Sequence, residues 1–175
     1  MITRTPLFIS FFLFLIITGK AQKGVFSIEA GPSAGFAIIK SQYFNTIYKP
    51  GFGGGIGALY NTTTKSAITF KFNYLSMAGK MVNTGSLNLT AVKVGYKTYF
   101  NNSTAFVFAD GGVNIFSSNN GNASTSPGAG GGLGYSIAAG KKNHIDIAAS
   151  FDALFGTPIH SEWLNIHVGY RINIK

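Results

Sequence analysis

From residue 26 onward the chain alternates between apolar and polar positions with a period of two, the period of a β-strand whose two faces meet different surroundings. The clearest case is the C-terminal segment. Its apolar face consists of Leu164, Ile166, Val168, Tyr170, Ile172 and Ile174. Its other face consists of Asn165, His167, Gly169, Arg171 and Asn173. No stretch after residue 22 has a convincing helical period, so the pattern predicts an all-β protein.

The same alternation recurs in seven earlier segments. They lie at residues 26–31, 51–60, 66–75, 88–100, 105–115, 128–139 and 144–151. In two of these segments, 51–60 and 128–139, glycine forms most of the second face. With the C-terminal segment they make eight predicted strands, and nothing in the sequence marks a domain boundary between them.

The connections between the predicted strands alternate in length. Short connections rich in turn-forming residues lie at 61–65, 101–104 and 140–143. Longer connections lie at 37–50, 77–86, 117–127 and 155–162. This sorting is expected of an antiparallel up-and-down barrel threaded through a membrane, with short turns on one side and long loops on the other. Segment 117–127 is polar and of low complexity, so we expect a loop there.

The N-terminus has the layout of a secretory signal peptide. Arg4 supplies a positive charge, residues 6–18 form a run of 13 uncharged residues, and Gly19 and Ala21 flank Lys20 at a candidate cleavage site. Thirteen residues are too few for a transmembrane helix, which needs about 20. We therefore expect residues 1–21 to be removed and residues 22–175 to form the barrel domain. An uncleaved anchor is the alternative.

The composition indicates that much of the surface does not face water. Charged residues make up only 11% of the chain, against roughly 25% in ordinary soluble domains. Removal of Arg4 and Lys20 with the signal peptide lowers the net charge from +9 to +7. The apolar and aromatic content excludes a disordered chain. The absence of cysteine excludes a disulfide framework and a thiolate zinc site.

Alternation alone does not decide which face of the barrel is outside. A soluble, lipocalin-like barrel turns its apolar face inward, whereas a membrane barrel turns it outward. The polar face is rich in Gly, Ser and Asn, charges are too few for a solvated exterior, and aromatic residues lie near the strand ends. Those aromatic residues are Phe26, Phe36, Phe52, Tyr60, Tyr74, Phe100 and Phe155. We therefore predict an eight-stranded transmembrane β-barrel.

The last strand carries a short pattern, polar-x-Gly-x-x-apolar-x-apolar, in His167, Gly169, Ile172 and Ile174. In strand number, loop asymmetry and this pattern, residues 24–175 resemble the small eight-stranded outer-membrane β-barrel family of Gram-negative envelopes, which contains the OmpX-like and PorT-like barrels. The resemblance implies an outer-membrane location and recognition of these four residues by the barrel-assembly machinery. The chain departs from the commonest form by ending in Lys175 instead of an aromatic residue.

Several charged residues fall on the inward face of the predicted barrel. They are Glu29, Lys71, Lys93, Lys97, Asp110, Asp146 and Arg171. If the turn at 101–104 is tight, Asp110 lies opposite Gly95, with Lys93 and Lys97 on its diagonals. We therefore expect Asp110 to pair with both lysines.

The second predicted group of charges lies at the seam that closes the barrel. Glu29 on the first strand and Arg171 on the last are expected at similar depth, with Asp146 nearby. The lumen of an eight-stranded barrel is just wide enough for side chains, so buried charges there should be paired. We expect the two groups to form a structural ion-pair network that plugs the lumen. A selective path for protons or ions is the alternative.

No pattern in the sequence points to a bound cofactor or metal. The glycine-rich stretches 51–57 and 128–134 lack both the dinucleotide fingerprint and the lysine of a P-loop. They are better explained as strands whose glycines make room in a packed lumen. His144 and His167 have no partner at a metal-binding spacing. We therefore expect no cofactor and no metal site.

One tripeptide resembles a catalytic constellation, His160-Ser161-Glu162. Adjacent residues on an extended chain point in different directions, so they do not readily form the relay that activates a serine. We expect a non-enzymatic protein whose long loops bind a partner, mediate adhesion or serve envelope integrity. The alternatives are a PorT-like accessory in outer-membrane assembly or protein secretion, and a lipid-A-modifying barrel enzyme.

The expected partners follow from the predicted location. They are outer-membrane lipids, lipopolysaccharide whose phosphates a basic outer rim would attract, the barrel-assembly machinery and a surface or periplasmic protein. Nucleic acid is not expected as a partner of an exported protein.

Overall fold

The computed structural model describes residues 23–38, 47–81, 84–100, 104–118, 123–155 and 161–174. They form eight strands: β1 (Phe26–Ile38), β2 (Gly51–Asn61), β3 (Ser66–Met77), β4 (Leu87–Tyr99), β5 (Ala105–Ser118), β6 (Ala123–Ala138), β7 (Asn143–Leu154) and β8 (Ser161–Ile174). The prediction of an all-β chain with eight strands is confirmed. The predicted signal peptide, together with His160 and Lys175, lies outside the described residues.

Each strand pairs antiparallel with the next, and β8 pairs with β1 to close the barrel. A path that starts at Glu29 on β1 and moves from each residue to its partner on the next strand reaches Ser161 on β8. Glu29 itself pairs with Arg171 on β8, which lies ten residues further along that strand. The sheet is therefore staggered by ten residues, and this stagger sets the tilt of the strands and the width of the lumen.

Several strands continue beyond their predicted ends on the side of the long connections. The predicted loop at 117–127 is mostly wrong, because β5 runs to Ser118 and β6 begins at Ala123. Ser117 pairs with Ala123 and Phe116 with Ser124. The two strands satisfy each other's backbone groups whatever side chains they carry, so a polar, low-complexity segment continues the hairpin.

The apolar face of the sheet is on the outside. On β4, Val94 is 55% exposed, whereas its neighbour Lys93 is 6% exposed. The same contrast runs around the barrel, where the exposed apolar side chains include Ile56, Ile68, Phe70, Leu133, Ile147 and Ile166. This arrangement confirms the predicted orientation of the two faces and excludes the lipocalin-like barrel, which would have buried these side chains.

Exposed aromatic side chains lie near both ends of the barrel. At the end with the short turns they include Phe26, Tyr60, Tyr96, Phe100 and Tyr170. At the end with the long connections they include Phe52, Tyr74, Phe151 and Phe155. Between the two ends the outer surface is aliphatic and aromatic. Among the described residues, no helix is long and apolar enough to cross a membrane.

Candidate functional site

The lumen holds nearly all the acidic groups of the protein. The chain has five Asp and Glu residues, and four of them point into the barrel, as do four Lys and Arg cations. Three of the acids form ion pairs with these cations, whereas Glu29 lies beside His167. The acids are Glu29, Asp110, Asp146 and Asp152, and the cations are Lys71, Lys93, Lys97 and Arg171. A lumen of this width leaves little water to solvate a lone charge, so equal numbers of opposite charges stabilise one another.

The first cluster of charges lies toward the short turns and is centred on Asp146, which is 1% exposed. Lys97 Nζ donates a hydrogen bond to Asp146 Oδ2 at 2.6 Å, and Arg171 Nε donates to the same oxygen at 3.0 Å. Arg171 Nη2 also donates to Ser136 Oγ at 2.9 Å. One carboxylate from β7 therefore joins β4, β6 and β8 across the lumen.

Aromatic rings complete the surroundings of this first cluster. The Nζ atom of Lys97 lies 3.6 Å from the centroid of the Phe106 ring. Phe106 in turn meets Tyr99 edge to face, with ring centroids 5.7 Å apart. A cation over an aromatic face is favourable, most of all where water is excluded. The rings therefore stabilise the buried ammonium group and fill the space around it.

The second cluster lies deeper toward the long connections. Asp110 meets Lys71 Nζ at 3.1 Å and Lys93 Nζ at 3.4 Å. Lys93 also donates a short hydrogen bond to Asp152, which accepts another from Asn165. The cluster therefore connects β3, β4, β5, β7 and β8.

The structure brings the predicted charges together but exchanges their partners. Gly95 pairs with Asp110 in the backbone register as predicted. The predicted pair of Lys97 with Asp110 is wrong, because Lys97 contacts Asp146 and Lys71 joins Lys93 at Asp110. The predicted set also omits Asp152, because the predicted strand at 144–151 ends one residue before it. Extending the period of two by one residue would have placed Asp152 in the lumen.

The seam between β1 and β8 also differs from the prediction. The predicted ion pair of Arg171 with Asp146 is confirmed. Glu29 and Arg171 are backbone partners, yet the predicted ion pair between them is wrong, because Glu29 Oε1 lies 3.0 Å from His167 Nε2. His167 Nδ1 lies 2.8 Å from Ser33 Oγ. Gly169 permits this arrangement, since a Cβ atom there would overlap the side chains of Glu29 and His167.

The four residues of the predicted assembly signal divide between the two faces of β8. His167 and Gly169 belong to the hydrogen-bonded seam of the lumen, whereas Ile172 and Ile174 point outward and are 45% and 42% exposed. Packing therefore accounts for the polar and glycine positions of the pattern. Recognition by the assembly machinery stays a prediction.

The hydrogen-bonded chain at this seam runs from Ser33 through His167 to Glu29, which is the order of a serine-histidine-carboxylate relay. A catalytic serine also needs access for a substrate and donors for the developing oxyanion. Ser33 lies in mid-lumen, and the backbone around it is paired with β2 and β8. The arrangement is therefore best explained as a hydrogen-bonded crosslink. Of the tripeptide at 160–162, only Ser161 and Glu162 are among the described residues, and both lie in β8.

An apolar cluster closes the lumen at the end with the long connections, and the sequence analysis did not predict it. It consists of Leu75, Met77, Leu87, Leu89, Phe116, Leu154 and Trp163. These side chains sit on the inward face of strands whose outward face is also apolar, so the alternation of hydropathy fades there. One or two inward apolar residues at the end of a strand give no periodic signal.

A cavity of about 90 Å³ remains between the apolar cluster and the short-turn charges. Its lining includes Glu29, Lys71, Asp110 and His167, and this volume is enough for a few water molecules. Glycine elsewhere makes room for bulk, as predicted: a Cβ atom on Gly134 would overlap the ring of Phe106. Among the described residues, the lumen is packed toward both ends, and this cavity lies in the middle. Among the described residues, no group of His, Asp and Glu side chains could hold a metal ion.

We expect Asp146→Asn to destabilise the barrel by about 3–5 kcal/mol, because it leaves two buried cations without their shared carboxylate. Arg171→Ala should cost less, since Asp146 keeps Lys97. The measurement is the free energy of unfolding in urea, with the folded fraction at each urea concentration read from the heat-modifiable mobility of the barrel on a gel. Glu162→Gln, the same chemical change at the acid outside the lumen, should stay within about 0.5 kcal/mol of the wild type. Equal effects of the two amide substitutions would contradict the buried network.

Gly169→Ala should lower the free energy of unfolding by about 1–3 kcal/mol, because the added methyl group forces Glu29 away from His167 and leaves buried polar atoms without partners. Gly111→Ala is the matched control, since its nearest heavy atom outside its own chain neighbours lies 3.7 Å from the new Cβ. Urea unfolding of both variants under the same conditions makes the comparison. If Gly111→Ala lowered the free energy of unfolding as much as Gly169→Ala, the displacement of Glu29 from His167 would not be the cause of the loss.

Comparison with known proteins places the fold but gives no family. No protein-family model and no curated protein matches the sequence. Neisserial surface protein A, a solved structure, has a TM-score of 0.66 at 14% identity, covering 85% of this chain and 97% of its own. The attachment invasion locus protein of Yersinia pestis has a TM-score of 0.60 at 18% identity, covering 86% of this chain and all of its own.

A third solved structure is similar over most of its length. The outer membrane protein OprG from Pseudomonas aeruginosa has a TM-score of 0.57 at 10% identity and covers 89% of this chain and 98% of its own. At sequence identities this low, the TM-scores establish that the fold is shared, and nothing more. The chain therefore has the fold of the small eight-stranded outer-membrane β-barrels.

Proposed function

We propose that this protein is an integral, non-enzymatic outer-membrane barrel whose long connections present a binding surface, and whose strands serve as a closed anchor. The observation that carries the proposal is the combination of an apolar exterior with a lumen filled by ion pairs and an apolar cluster. Within the described residues, these groups obstruct the lumen toward both ends. The biological activity of the protein then falls to the connections and rims outside the membrane.

The exterior supports insertion into a membrane. Soluble monomers rarely expose continuous apolar patches larger than a few hundred Å². Here exposed apolar side chains surround the whole barrel, and Phe52, Ile56 and Leu133 are each more than half exposed. Aromatic side chains near both ends match the interfacial girdles of membrane barrels. A lipid bilayer is the environment that removes this surface from water.

The name of one similar protein supports a binding role. That protein is named for attachment and invasion, and its structure has also been solved with the heparin analogue sucrose octasulfate. By analogy, we propose partner binding, adhesion or support of the envelope for this chain. Most of the longer connections, at 39–46, 82–83, 119–122 and 156–160, lie outside the described residues. The accessory role in assembly or secretion stays a prediction from the sequence resemblance.

Replacement of the long connections tests the proposed binding role. The variant would carry short Asn-Gly turns in place of residues 39–46 and 156–160, and its folding would be checked by heat-modifiable mobility. Crosslinking in intact cells should yield adducts with the wild type that are absent from the folded variant. The same adducts on both proteins would place the partner elsewhere and overturn the assignment to the long connections.

For membrane insertion, we expect Ile147→Arg to cost about 2–4 kcal/mol, the penalty for an arginine near the bilayer midplane on the lipid face of a barrel. Ile147 is 42% exposed on the outer face of β7. Ser150→Arg is the control on the inner face of the same strand, where Asp152 is nearby, and its transfer cost should be smaller. Refolding yield in lipid vesicles reports both. A wild type that stays folded and soluble without detergent would end the proposal of a membrane barrel.

We also expect no steady conductance steps from the purified protein in a planar bilayer, because the apolar cluster and the two charge clusters obstruct the lumen in series. A large general porin in the same bilayer is the positive control. Reproducible unit steps from the wild type would show that the lumen is open, and would favour the alternative of an ion path.

A further inference from the structure

The end of the barrel that carries the short turns is a rim of positive charge, here called the short-turn rim. It comprises residues 23–25, the turns at 62–65 and 139–142, and residues 100 and 104 beside the third turn. The charged residues among these are Lys23, Lys65, Lys141 and Lys142, and all four are exposed. This part of the described chain contains no Asp or Glu.

The lysines occupy one continuous part of the short-turn rim. Asn173 N on β8 donates a hydrogen bond to the carbonyl of Lys142 at 3.0 Å. Gly24 N, next to Lys23, donates to Asn61 O at 2.8 Å. These contacts attach the β6–β7 turn to β8 and the residues before β1 to β2. The arc of lysines therefore runs from the β6–β7 turn past β8 and β1 to the β2–β3 turn.

The protein has almost no carboxylates left to balance this arc. Four of the five acidic residues are committed to the lumen. The fifth, Glu162, lies next to Ser161, the first residue of β8, at the opposite end of the barrel. The opposite rim also has Lys49 and Lys80 among its described residues, so it carries both signs of charge. No Asp or Glu in the described part of this rim offers a counter-charge to Lys23, Lys141 and Lys142, so an anion outside the chain can supply it.

The position of these lysines along the barrel indicates which anions lie near them. Tyr60 and Tyr170, on the outer face just inside the short-turn rim, are 51% and 45% exposed. Tyrosine rings of this kind sit at the level of lipid headgroups, with the ring in the apolar region and the hydroxyl in the polar one. Lysine side chains at the adjoining strand ends are long enough to place their ammonium groups in the same layer. Lipid phosphates at that level are the nearest available anions.

We propose that the short-turn rim binds acidic phospholipid headgroups of the leaflet in which it lies, through Lys23, Lys141 and Lys142. The proposal rests on the proposed function, since it requires an inserted barrel. Each lysine near an acidic lipid surface strengthens binding about fivefold. Zwitterionic lipids offer the same phosphate with a compensating cation, so the rim should prefer acidic lipids. Salt should weaken this preference because the lysines are exposed.

The test compares two lipids around the inserted barrel. The full barrel is reconstituted in phosphatidylcholine vesicles that contain a trace of spin-labelled phosphatidylglycerol or spin-labelled phosphatidylcholine. Electron spin resonance then gives the relative association constant of the two labels from their motionally restricted fractions. The rim variant is Lys23→Gln with Lys141→Gln and Lys142→Gln. The control variant is Lys49→Gln with Lys80→Gln, at the opposite rim.

We expect the wild type and the control variant to prefer phosphatidylglycerol severalfold, and the rim variant to lose most of this preference. In 1 M NaCl all three should approach equal affinity for both lipids. A preference that survives in the rim variant, or is lost equally in both variants, would overturn the proposal. The absence of any motionally restricted lipid with either label would instead show that the barrel has not inserted, which contradicts the proposed function itself.

Discussion

The structure depends on one constraint: every second residue of a closed eight-stranded sheet must fit into a lumen that is only about as wide as the side chains themselves. The exterior takes apolar residues, so the inward positions receive nearly all the polar side chains of the strands. Acidic residues in that space are stable only beside cations. The pairing of Asp110, Asp146 and Asp152 with four Lys and Arg cations is therefore a condition for closing this barrel.

The same constraint explains the distribution of residue sizes. Where large side chains cross the lumen, as Phe106 does, the facing position on the neighbouring strand is glycine. Gly169 plays the same part on β8, where Glu29 reaches past it to His167. Glycine is otherwise unfavourable inside a strand. Its repeated use here indicates that space inside the barrel outweighs local strand propensity.

Strand number, the direction of each face and the register of Asp110 opposite Gly95 were predictable from the sequence, because all three follow from a period of two and from short turns. The partners of the charges were not predictable. Lys97 on β4 reaches Asp146 on β7, and these strands are not neighbours in the sheet. Such a contact depends on the stagger of the whole barrel, which only the complete set of registers defines. The apolar cluster around Trp163 was not predictable for a different reason, because both faces of the strands are apolar there and the alternation is lost.

Because four of the five acidic residues point into the lumen, the charge on the surface of the protein is mostly positive. An ordinary surface mixes both signs of charge, but here the acids are needed inside, and the remaining cations are left at the rims. The buried pairs neutralise one another and contribute little to the field outside, so the rim lysines dominate it. The electrostatic character of the rims is thus a consequence of the packing of the lumen. A substitution that changed the lumen charges would have to preserve their balance, whereas the rims and connections are free to vary with whatever they bind.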